Sequence, residues 1–96
     1  MQPGARDHAR NYHLHRLASA LDSEGFHATM KTSYPPALHV FMPGAWMLAE
    51  SIDCVPGTDE AGRLHWYYRW SWGEVLHDAS DPPAAAAKIA EVLSAR

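Results

Sequence analysis

The chain has 96 residues, 47% of them hydrophobic and 20% charged, with a formal net charge of −3. That length fits one domain, and the acidic balance argues against a nucleic-acid partner, which would need a basic face. A lone cysteine, Cys54, permits no internal disulfide and points to reducing cytoplasm, while no apolar run approaches the roughly 18–20 residues of a membrane span. Met1 to Arg6, polar and without a hydrophobic region, reads as a flexible N-terminal tail rather than a secretory signal, ahead of a single domain over residues 7–96.

Asp7 to Glu24 carries helical periodicity. Leu14, Leu17, Ala18 and Leu21 fall at i, i+3, i+4 and i+7, with Ala9 and Tyr12 extending the stripe. Asp7 is placed to cap the start, and Gly25 to end the helix in a left-handed conformation. Phe26 to Thr32 then alternates as a strand until Ser33-Tyr34-Pro35-Pro36 interrupts it, since proline donates no ladder hydrogen bond. Leu38, Val40 and Met42 alternate with His39 and Phe41 in a second strand, closed by the turn signal Pro43-Gly44. Trp46 to Val55 predicts a third strand, in which Trp46, Leu48, Ile52 and Cys54 share a face with Glu50 among them. Pro56 to Arg63 reads as a polar hairpin loop.

The stretch Leu64-His65-Trp66-Tyr67-Tyr68-Arg69-Trp70-Ser71-Trp72, closed by Gly73, alternates with period two and predicts the central strand. An aromatic side chain buries roughly 150–250 Å². Trp66, Tyr68, Trp70 and Trp72 are therefore expected to anchor the core, under Leu14, Leu17, Leu21, Ile89, Val92 and Leu93. Glu74 to His77 suggests a short edge strand. Ser80 or Asp81 can cap a last helix with Pro82 in its first position and Ala85, Ile89, Val92 and Leu93 as its apolar stripe.

The order is α-β-β-β-β(-β)-α. Short links favour an antiparallel meander, and two helices seeking one apolar sheet surface give a two-layer α+β sandwich with both helices on one face.

Chemistry-bearing residues are sparse. His27, His39 and His65 fall on the outer face of their strands. If Phe41 pairs with Met47, His39 lies across from Ala49; if Val55 pairs with His65, Ala49 lies across from Ser71. His65 is then six residues from the row of His39, roughly 20 Å at about 3.3 Å per residue, too far to share a metal ion whose ligands sit at about 2 Å. In the same register Cys54 faces Trp66 on the inner side and reads as a small buried hydrophobe. Glu50 points inward by alternation, between Leu38 and Trp70. A bulge can turn it outward, it can sit at the rim and accept a hydrogen bond from an indole N–H, or it can line a pocket as a general acid or base. No phosphate loop, CxxC pair or catalytic triad order is present, and no catalytic residue, metal ligand or cofactor is assigned.

The outer face is more suggestive. The same register pairs Tyr67 with Asp53 and Arg69 with Ser51, and adds Phe41, Met47 and Val55. Aromatic, Met and Arg side chains together have the composition enriched at protein interfaces. The expected function is a small non-catalytic interaction module that uses Phe41, Met47, Asp53, Val55, Tyr67 and Arg69 to bind a protein partner or a second copy of itself. The alternative is a small-ligand or hydrolytic protein with a pocket around Glu50 and Trp70.

Two segments carry a family likeness: Trp70-Ser71-Trp72-Gly73, and the helix Asp81-Pro82-Pro83-Ala84-Ala85-Ala86-Ala87-Lys88-Ile89-Ala90-Glu91-Val92-Leu93. An aromatic strand ending in WG, followed by a D-P-x-x-A-A-rich terminal helix, resembles short uncharacterised α/β proteins of the actinobacterial type. Such proteins are often encoded near helix-turn-helix regulators, so the resemblance implies a regulatory or accessory role and brings no catalytic residues.

Overall fold

The computed structural model describes residues 5–31 and 35–95, with all their side chains except those of residues 5–7, 46 and 47. Two helices, α1 (Ala5–Ser23) and α2 (Pro82–Ser94), flank β1 (His27–Lys31), β2 (Ala37–Met42), β3 (Ala45–Thr58), β4 (Leu64–Trp70) and β5 (Val75–Asp78). Each strand pairs antiparallel with the next, giving the sheet order β1-β2-β3-β4-β5. Both helices pack on one face, which makes the expected two-layer α+β sandwich. No described helix is long and apolar enough to cross a membrane.

Helix α1 presents Leu14, Leu17 and Leu21 to the sheet, all fully buried. It starts at Ala5, two residues ahead of the expected cap Asp7, so Ala5 and Arg6 are helical; the remainder of the expected tail, and the Asp7 side chain, lie outside the described residues. Its end follows from Gly25, whose φ of 87° suits a residue without Cβ. The Phe26 N–H donates to the Leu21 carbonyl and the Gly25 N–H to the Asp22 carbonyl, which satisfies two terminal acceptors. Phe26 turns inward at 5% exposure and leads into β1. At the other end of the chain, the Asp81 carboxylate accepts from the Ala84 N–H and Pro82 occupies the first turn of α2, as the sequence predicts. Ala85, Ala86, Ile89 and Leu93 are buried beneath it.

The core joins these residues to Leu38, Val40, Ile52, Cys54, Tyr68, Trp70 and Leu76. The Tyr68 hydroxyl donates to the His13 carbonyl at 2.6 Å, and the Arg10 Nε–H donates to the Cys54 carbonyl at 3.1 Å, so α1 is tied to the sheet by polar bonds as well as by packing.

Three expectations need correction. First, β3 runs through Pro56 and Gly57 to Thr58, residues the sequence assigns to a loop. Proline is tolerated there because the pairing of β3 with β2 stops at Ile52, so beyond it β3 is hydrogen-bonded only to β4. The hairpin loop shrinks accordingly to residues 59–63. Second, both central pairings slip by two residues: Phe41 faces Ala49 and His39 faces Ser51, Val55 faces Tyr67, Arg69 faces Asp53, and Cys54 faces Tyr68. An even slip leaves every side chain on its expected face. The first slip comes with a bulge, since Met42 faces Ala45 while its neighbour Phe41 faces Ala49. Third, the aromatic strand stops at Trp70. Ser71 to Gly73 form a turn in which the Gly73 N–H donates to the Trp70 carbonyl and Gly73 takes a φ of 96°. Tyr68 and Trp70 are buried as expected, but Trp66 is only partly covered and Trp72 is 52% exposed.

Candidate interaction face

The face away from the helices carries the outward residues of all five strands. Pairing sets His27 beside Phe41 and Ala49, Thr29 beside His39 and Ser51, Arg69 between Asp53 and Val75, and Tyr67 between Val55 and Asp78. Among the described residues no helix or loop covers them, yet most are half-buried, because they cover one another. Phe41 lies between two imidazoles, stacked with His27 at 5.4 Å and tilted against His39 at 5.7 Å. The Tyr67 ring lies over Gly57, where an added Cβ would come within 3.1 Å of it; the missing side chain at 57 makes room for the ring.

Asp53 and Arg69 form a two-pronged pair, Nη2 to Oδ2 at 2.7 Å and Nε to Oδ1 at 3.1 Å. The hydrogen bond to Asp53 raises the Arg69 pKa further above its already high value. A guanidinium held this way keeps a fixed plane.

Of the six residues expected to form one patch, Asp53, Val55, Tyr67 and Arg69 come together. Phe41 does not join them. It pairs with Ala49 while Tyr67 pairs with Val55, so the two rings are separated by six residues and two strands, roughly 20 Å at about 3.3 Å per residue and 4.8 Å per strand. The Met47 side chain lies outside the described residues. Among the described residues, the apolar surface of this face is therefore two small clusters joined by Ser51, Ala49 and Ala37.

Sequence reasoning missed a second constellation on this face. His65 is flanked by two carboxylates: Nε2 lies 2.8 Å from Asp59 Oδ2 and Nδ1 lies 3.0 Å from Asp78 Oδ2. The only signal in the sequence is an outward histidine at the start of a strand with aspartates at the flanking turns, and the register needed to unite them is the one that slipped. Hydrogen bonds from the Arg63 backbone, then from Ala61 and His65, hold the Asp59 carboxyl below its usual range. Asp78 is pushed up by partial burial, but bonds from Ser80 and His65 outweigh this and its pKa is lowered too.

Glu50 shares the inner face with Val40 and Ile52 but sits at the rim, half-buried, where the Ser71 hydroxyl donates to its Oε2 at 3.2 Å. The place expected for Glu50, between Leu38 and Trp70, is taken by Ile52, because both pairings slip by two residues. Trp70 is 5% exposed and stacks on Trp72 at 4.8 Å, and the Trp72 indole N–H goes to Glu74, not Glu50. Cys54 is fully buried, and burial pushes its thiol up to about 12, so at neutral pH it stays an unreactive thiol. Burial, followed by the charge of Arg16, lowers the His13 pKa. Among the described residues, no three of His, Cys, Asp and Glu are placed to hold a metal ion.

A groove of about 390 Å³ opens between α1 and the start of α2, lined by Arg16, Ser19, Ala20, Ser23, Pro82 and Pro83. An arginine beside a helix N-terminus suits an anion in general, but here the donors are gone. Pro82 and Pro83 have no N–H, Ala84 donates to the Asp81 carboxylate and Ala85 to the Asp81 carbonyl. Compared with known proteins, the chain matches no family model, no curated protein and no solved structure.

Proposed function

We propose that this chain is a non-catalytic interaction module that docks a protein, foremost a second copy of itself, on the open face of its sheet. The observation that carries this reading is the layering. Both helices lie on one side, and the other side offers Phe41, Val55 and Tyr67 half-buried, together with an arginine already paired and oriented by Asp53. An antiparallel sheet can face water on one side, so support for a partner comes from the kind of residue displayed: aromatic rings and a held guanidinium are favoured interface anchors. A net charge of −3 favours protein over nucleic acid.

In the symmetric dimer, a two-fold axis parallel to the strands and above β3 lays the β1–β2 side of one copy over the β4–β5 side of the other, so each copy offers the same face to its partner. Two sheets packed in this way have aligned strands, as in sandwiches.

The test is the double change Tyr67→Ala with Arg69→Glu, which removes bulk and reverses charge while leaving the core untouched. Size-exclusion with light scattering is expected to show a dimer that becomes a monomer with an unchanged far-UV spectrum. A wild-type chain that is monomeric at every concentration, and that loses no partner from its native host on mutation, excludes the reading.

A further inference from the structure

We propose that His65 is a proton-operated clamp joining the β3–β4 loop to the β5–α2 turn. Three separate segments meet at one imidazole. Asp59 comes from the loop after β3, His65 from the second residue of β4, and Asp78 from the last residue of β5. Each carboxylate divides its two oxygens in the same way. Asp59 Oδ1 accepts from the Ala61 and Arg63 N–H groups and Oδ2 faces His65; Asp78 Oδ1 accepts from the Ser80 N–H and Oδ2 faces His65. Each aspartate thus shapes its own turn with one oxygen and is held in place through the other. The ring between them links the two turns.

That link depends on the protonation of the ring. An imidazole donates from both nitrogens only as the imidazolium; the neutral ring donates from one and presents a lone pair at the other. When His65 loses its proton, one carboxylate therefore faces a lone pair with its own lone pairs, and that contact turns repulsive. Among the described residues, the charged groups set against the ring are Asp59 and Asp78, and the His13 imidazole of α1 lies in the field of Asp78. Tyr67 lies alongside at 6.2 Å, Gly57 opposite has no side chain, Glu60 and Arg63 are exposed, and His77 sits across from Tyr68 on the helix side.

The arm that lets go is the β3–β4 loop. The Asp78 turn is secured independently: Ala79 is fully buried, its N–H donates to the Trp66 carbonyl, and α2 begins three residues later. Residues 60–63 are exposed; two backbone bonds close the loop, Asp59 N–H to the Arg63 carbonyl and Gly62 N–H to the Asp59 carbonyl, and the Ala61 and Arg63 N–H groups are held by the Asp59 carboxylate. On the acid side, both carboxyls titrate below their ordinary value, so they stay ionised and the clamp stays shut until the pH falls through those lowered values. On the alkaline side it opens as His65 deprotonates.

The experiment is a pH titration of ¹⁵N-labelled protein that follows the His65 ring nitrogens together with hydrogen exchange of the Ala61, Arg63 and Ser80 amides, corrected for intrinsic rates. Losing a hydrogen bond to a charged group lowers protection by about tenfold. Ala61 and Arg63 are expected to lose that much across the interval in which His65 deprotonates, while Ser80 keeps its protection. In His65→Gln the loop is expected to be open throughout and the pH step absent; in His27→Gln the step is expected to remain. The wild-type titration decides the matter even if His65→Gln folds poorly. Loop amides that ignore the His65 proton, or a step that survives in His65→Gln, overturn the proposal.

Discussion

On the helix side of the sheet Leu38, Val40, Ile52, Cys54 and Tyr68 have no exposed surface at all, while their chain neighbours His39, Phe41, Asp53, Val55 and Tyr67 on the other side are only half-covered. The strands are the same, so neither propensity nor backbone pairing separates the two sets. What differs is the source of cover. The inner residues are covered by a second layer, Leu14, Leu17, Leu21, Ile89 and Leu93. The outer residues are covered sideways by one another, ring on imidazole, ring on glycine and guanidinium on carboxylate. Burial from above removes a side chain from water on all sides and leaves a cavity when it is cut back. Lateral cover leaves one side wet, so truncation there is refilled by solvent.

The largest effect that follows belongs to Trp70. Trp70→Ala is expected to cost about 3–5 kcal/mol, a large share of the roughly 5–15 kcal/mol that stabilises a typical domain. Trp72→Ala, which removes the ring stacked on Trp70 but 52% exposed, is expected to cost well under half as much. Urea denaturation of the two variants measures the contrast. Equal losses would mean that Trp72 belongs to the core after all.

That pair also marks how far the sequence could be read. Period-two alternation placed residues on faces, and helical periodicity found Leu14, Leu17 and Leu21, because both patterns are local. Alternation carries no information on where a strand ends in space, so it extends the aromatic strand through Trp72, although the turn at Ser71–Gly73 tips that ring toward solvent. Pro56 is a local breaker signal that a tertiary fact overrides, since beyond Ile52 β3 pairs on one side only. Register is nonlocal. It depends on the bulge at Phe41–Met42 and on how many residues the loop after Thr58 consumes, and the two-residue slip there moved Asp53 from Tyr67 to Arg69. The same slip decides the candidate site: it creates the Asp53–Arg69 pair and separates Phe41 from Tyr67. The fold was legible because faces survive an even slip; the site was only partly so because side-chain partners do not.

A smaller effect isolates the polar difference between the faces. The Tyr68 hydroxyl, inside, is bonded to the His13 carbonyl, and burial raises its pKa further above the ordinary phenol value. Tyr68→Phe keeps the ring and deletes that bond, at a cost of about 1 kcal/mol. Tyr67→Phe removes a hydroxyl from the wet face and is expected to stay within about 0.5 kcal/mol of wild type, as surface changes usually do. Chemical denaturation of both variants gives the comparison directly. A cost for Tyr67→Phe that matches Tyr68→Phe would show that the outer hydroxyl is engaged and that the open face is drier than its geometry implies.

The smallest effect is the most informative about the outer face. In a double-mutant cycle of Asp53→Ala and Arg69→Ala, the pair is expected to couple by about 0.5–1 kcal/mol in dilute protein, because both side chains keep water contact at 24% and 39% exposure. Added salt should reduce the coupling. Raising the protein concentration should do the opposite if a second copy settles over the face, since excluding water strengthens an ion pair that is already aligned. A coupling that depends on salt but not on concentration would leave the pair permanently wet. The sheet would then keep one dry side and one solvated side in solution, and the dimer reading would fail on energetics as well as on hydrodynamic size.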